Sequence, residues 1–96
     1  MSSDACLNEI VLFELPSPWF AARLTEHVGS ERFAWHLAEE DVGVVGVVLT
    51  PDELDLAHLL RTVQRWLVRQ GLASIRFEVD RRIYVLESTP VASAAC

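Results

Sequence analysis

Residues 43–53, Gly43-Val44-Val45-Gly46-Val47-Val48-Leu49-Thr50-Pro51-Asp52-Glu53, join a valine-rich run to the clearest helix start in the chain. A dinucleotide-binding turn needs G-x-G-x-x-G between a strand and its helix. Gly43 and Gly46 supply only G-x-x-G, and both lie inside the apolar run rather than in the turn. The strand-to-helix turn itself, Leu49-Thr50-Pro51, holds no glycine. A phosphate loop of the G-x-x-x-x-G-K-[ST] kind needs a lysine, and the chain has none. The stretch is therefore a central strand, with glycines marking a bulge or a close backbone approach.

Downstream, Thr50 as cap, Pro51 at N1 and Glu53 at N3 form a T-x-x-E capping box, with Asp52 and Glu53 suited to the helix dipole. From there to Gln70 a broad apolar stripe runs through Leu56, Leu59, Leu60, Val63, Trp66 and Leu67, and Gly71 closes the helix. Residues 74–79 alternate, Asp80-Arg81-Arg82 forms a three-residue turn, and residues 83–87 return as a last strand. Upstream, residues 9–15 read as a strand ended by Pro16. Ser17-Pro18 then caps a helix over Trp19 to Val28, with Gly29 at C′. Residues 32–38 alternate with Phe33, Trp35 and Leu37 on one face, and Glu39-Glu40-Asp41 forms the next turn.

The order is β-α-β-β-α-β plus one strand, which resembles the ferredoxin-like arrangement. It implies an α+β two-layer sandwich with both helices on one face of an antiparallel sheet. In that topology the first and third strands are central, and here those two segments are apolar on both faces. One domain spans residues 1–96, with an ordered core over about 8–88 and short disordered tails.

Composition narrows the function classes. A net charge of −6 and a pI near 4.9 oppose the general phosphate attraction behind nucleic-acid binding and adhesion to anionic membranes. The longest apolar run, Val42 to Leu49, is far short of the ~20 residues of a membrane helix. The N-terminal stretch lacks the basic region of a signal peptide, so a cytoplasmic location is expected. Cys6 and Cys96 stand at opposite ends, too few for a disulfide scaffold and able to pair only if the termini meet. His27, His36 and His58 lack metal-ligand spacing, so no metal or cofactor is expected.

Two groupings can carry chemistry. On the second helix His58, Arg61, Arg65 and Arg69 share a sector opposite the apolar stripe, with no carboxylate three or four residues before any of the arginines. This face reads as a solvated basic surface or as a docking stripe for an acidic partner or an anionic small molecule. The second grouping is the sheet face away from the helices. With Phe33, Trp35, Leu37, Ile75, Phe77 and Val79 under the helices, that face carries Ala34, His36, Arg76 and Glu78. Central valines join it, with either Ile10, Leu12 and Glu14 or Val11, Phe13 and Leu15 according to register. An apolar centre of this kind calls for cover, most simply by a second copy packed sheet to sheet.

The stretch from Leu59 to Glu87, LLRTVQRWLVRQGLASIRFEVDRRIYVLE, resembles the end of a winged-helix domain: a helix, a Gly-Leu corner and a two-stranded wing. That resemblance implies DNA binding through Arg61 and Arg65. Acylphosphatases share the size and topology of the whole chain, but their glycine-rich anion loop is missing. The expectation is a non-enzymatic dimeric binding or regulatory domain with a protein or small-effector partner. The alternatives are a small dimeric enzyme using His36 with Glu14, and a winged-helix-like DNA binder.

Overall fold

A computed structural model describes residues 9–88. Cys6, Cys96 and the tails lie outside the described residues. The elements are β1 (Ile10–Leu15), α1 (Pro18–Gly29), β2 (Ala34–Glu39), β3 (Val42–Val48), α2 (Asp55–Gln70), β4 (Ser74–Val79) and β5 (Arg82–Glu87). The five strands form one sheet in the order β2-β3-β1-β4-β5, and every neighbouring pair is antiparallel. Each helix links two strands that are not neighbours: α1 carries the chain from β1 past β3 to β2, and α2 from β3 past β1 to β4.

Both helices pack on one side of this sheet. Val11, Phe13 and Leu15 of β1, Val45 and Val47 of β3, and Ile75, Phe77 and Val79 of β4 are buried with Ala21, Leu24 and Val28 of α1 and Leu59, Val63, Trp66 and Leu67 of α2. Ring contacts tie the layers together, Phe13 to Phe77 at 5.8 Å between centroids and Phe20 to Trp66 edge-on at 6.3 Å.

The helix starts differ in origin. At α1, Ser17 is the N-cap, its hydroxyl accepting from the Phe20 amide at 3.4 Å, with Pro18 in the first turn as expected. At α2 the expected capping box does not form. The helix begins at Asp55, and Asp52 makes a local turn, its carboxylate accepting from the Leu54 amide at 2.9 Å. Asp55 instead accepts from the Thr50 amide at 2.8 Å and from Arg32 Nη1 at 2.7 Å, so a tertiary ion pair fixes this end. At the other end Gly71 has φ 74° and closes the helix in the left-handed region. Gly29, by contrast, is the last residue of α1 and has no such conformation.

The two glycines of the valine run serve opposite faces of β3. Gly43 faces the helices, where a Cβ would lie 2.8 Å from the Ser17 carbonyl oxygen and against Ala21. Gly46 faces away from them, beneath the Trp35 ring. Both are close-approach positions in a central strand.

Candidate functional site

The side of the sheet away from the helices is the first candidate. Register fixes its residues, because paired residues on neighbouring strands share a face. Ile10, Leu12 and Glu14 of β1 lie there, opposite Val48, Gly46 and Val44 of β3. Trp35 and Leu37 of β2 pair with Gly46 and Val44 and so join them. This corrects the expected orientation of β2. Ala34 and His36 pair with the core valines Val47 and Val45 and lie on the helix side, while Phe33, Trp35 and Leu37 take the open side. Packing explains the inversion: α1 approaches β3 at Gly43, whose partner on β2 is Ala38, so small residues are needed beneath the helix. On the open side Trp35 lies over Gly46, the only open-face position of β3 without a side chain to displace it.

Large apolar groups therefore stand in solvent on this face. Phe33 is 71% exposed, Leu37 58%, Ile83 66%, Val85 60% and Ile10 45%. A polar stripe divides them, in which Glu14 pairs across the ladder with Arg76, Oε1 to Nε at 3.6 Å, and Glu78 sits opposite Leu12. Fully exposed to water such a pair contributes little. Arg76 and Glu78 thus lie on the open face, and His36 does not. Because His36 and Glu14 project from opposite sides of the sheet, the fold does not bring them together as an acid–base pair.

The second candidate is a groove of about 410 Å³ between α2 and the end of α1, lined among others by His27, Arg32, His58, Thr62, Arg65 and Arg69. His58, Thr62, Arg65 and Arg69 follow the i, i+4, i+7, i+11 spacing that makes one line along a helix. Arg61, about 60° off this line by helical geometry, is exposed outside the groove. Three of the four stripe residues are thus brought together, and the fourth is not. His27 enters from α1, where Arg69 Nη2 donates to its Nε2 at 3.4 Å. Burial, and then the Arg69 guanidinium, hold the His27 pKa below the usual imidazole value, with Glu31 opposing them. The part played by His27 and Arg32 had no signal within a single element, since it arises where two distant segments meet.

Residues 74–87 form the resembled wing as a hairpin, but β4 also pairs with β1, so the hairpin belongs to the five-stranded sheet. Among the described residues no helix is long and apolar enough to cross a membrane, and no group of three or more His, Cys, Asp or Glu side chains is placed to hold a metal ion. Comparison with protein-family models, with curated proteins and with solved structures gives no match for this chain.

Proposed function

We propose that the chain is a non-enzymatic, ferredoxin-like binding domain that works as a homodimer, two open sheet faces packed against each other, and so presents its helical sides to a protein or small-effector partner. The observation that carries this reading is the uncovered apolar face, with Phe33, Leu37, Ile83 and Val85 all well exposed on one side of a five-stranded sheet. Burying a side chain of this size is worth about 1.5–3 kcal/mol, so covering several together is a strong drive. Both signs of charge in the Glu14, Arg76 and Glu78 stripe suit an isologous contact, in which one patch must complement itself. Strand order and the two helix crossovers support the ferredoxin-like assignment. The separation of His36 from Glu14 removes the pair on which the enzyme alternative rested.

Light scattering after size exclusion tests the proposal. The wild-type chain elutes as a dimer. Leu37→Glu, which places a charge among the apolar side chains of the contact, converts it to a folded monomer. Val68→Glu, at an equally exposed apolar position on α2, leaves the dimer intact. A wild-type monomer, or a dimer that survives Leu37→Glu and is lost with Val68→Glu, would show that the sheet face is not the contact.

A further inference from the structure

The groove between α2 and the end of α1 gathers more positive charge than its surroundings neutralise, in a chain whose net charge is −6. Arg32 is committed to Asp55 at 2.7 Å. Arg65 and Arg69 are not so committed: among the described residues no carboxylate lies within 4.0 Å of either. Arg69 is instead directed at His27, and a guanidinium has only donors, so His27 Nε2 receives the hydrogen bond and carries no proton there. The groove hydroxyls are already donating to the backbone, Thr62 Oγ1 to the His58 carbonyl at 3.1 Å and Ser30 Oγ to the His27 carbonyl at 3.4 Å. What remains available to a ligand is the Arg65 guanidinium, the Arg69 donors that His27 does not take and the His58 ring, against one carboxylate on the wall, Glu31.

We propose that this groove binds the phosphate group of a small phosphorylated molecule, held by Arg65 and Arg69 with His58 beside them. Two guanidiniums match a dianion better than a single carboxylate, and their forked donors fit tetrahedral oxyanions. A phosphate leaves part of the roughly 410 Å³ unfilled, which is room for an organic body, and that volume lies within the usual range of ligand pockets. The site is independent of the sheet face, so it stands whether or not the chain dimerises there.

The anion also changes the protonation of His27. Arg69 contacts that ring and Glu31 acts on it electrostatically, and the other charged or titratable groups lining the two grooves it borders are Arg65 and His58 from α2, Arg32 from the connection to β2, and Arg23 and Glu26 from its own helix. The ring loses protons more readily than usual because it is partly buried and then because Arg69 adjoins it. A bound dianion offsets the Arg69 charge, so His27 takes up a proton more readily in the complex, and binding of an anion that does not itself titrate, such as sulfate, strengthens as pH falls through the imidazole range, whereas a phosphate group loses its own second charge over the same range.

The test is an amide-shift titration of the full chain with inorganic phosphate at constant ionic strength, repeated for Arg69→Ala and Arg61→Ala. Saturable shifts are expected over residues 27–32 and 58–69. Arg69→Ala weakens binding by about tenfold or more, the scale of one charge-assisted hydrogen bond, while Arg61→Ala changes it by less than about twofold. The His27 ring titration moves upward in saturating sulfate, which has no titration of its own in this range. No saturable shift up to about 50 mM phosphate, far beyond a useful affinity, overturns the proposal. Equal weakening by Arg61→Ala and Arg69→Ala also overturns it, because that outcome describes a diffuse basic surface. An unmoved His27 titration with intact binding refutes the part given to His27.

Discussion

At the scale of single residues, the two glycines of β3 show how one sequence feature serves two surfaces. A methyl group at Gly43 would meet backbone, the Ser17 carbonyl oxygen and the first residue of α1, neither of which can turn aside. A methyl group at Gly46 would meet first the Trp35 ring, a partly exposed side chain that can shift. Gly43→Ala is therefore expected to cost more, about 2–3 kcal/mol against about 1 kcal/mol for Gly46→Ala, as measured by urea unfolding. The reverse order would mean that α1 is not seated closely on β3. Asp55 gives a second prediction. Its hydrogen bond from Arg32 is the main reason its pKa falls from 3.8 to about 2, with the Thr50 amide and the Arg32 charge adding to it and burial opposing. A depressed carboxylate pKa stabilises the fold above the unfolded value and is lost as pH falls through the folded one. The stability difference between wild type and Asp55→Asn should hold steady above about pH 5, at no more than about 2 kcal/mol, and shrink toward zero near pH 2.

Among the elements, the hairpin between β4 and β5 carries the clearest local conflict. Its two turn residues, Asp80 and Arg81, have φ of 56° and 65°, the pattern of a two-residue primed turn. The sequence spacing suggests three turn residues, Asp80 to Arg82, but Arg82 is the first residue of β5. Asp tolerates the left-handed region, whereas Arg has no side chain suited to it. Arg81→Gly should thus raise stability by about 0.5–1 kcal/mol in thermal or urea unfolding, and a loss of stability would mean that the turn has another form. Strand and helix order was legible in the sequence because periodicity and turn residues are local signals. The orientation of β2 was not legible. Phe33, Trp35 and Leu37 alternate as a buried face would, and only the close seat of α1 at Gly43 and the bare backbone of Gly46 decide that they point outward. The start of α2 escaped for the same reason, since Thr50, Pro51 and Glu53 satisfy a local rule that the distant Arg32–Asp55 pair overrides.

For the whole molecule, the inversion of β2 strengthens the argument for assembly. Had these aromatic and aliphatic side chains lain under the helices, the open face would have held Ala34 and His36 in their place. Instead the large groups of β2 adjoin the valines of β3 and Ile10 and Leu12 of β1, with Ile83 and Val85 beyond the charged stripe. Five strands about 4.8 Å apart and six or seven residues long span a face of roughly 24 by 20 Å, about 480 Å² per protomer, which puts a sheet-to-sheet contact at the small end of specific interfaces. The cationic groove, on the other side of the sheet, would stay open in such a dimer. Intermolecular NOEs in a dimer mixed from isotope-labelled and unlabelled chains test this most directly. The account predicts cross-protomer contacts among the methyl groups of Leu37, Val44, Ile83 and Val85. Their absence, or cross-protomer contacts confined to α1 and α2, would contradict it.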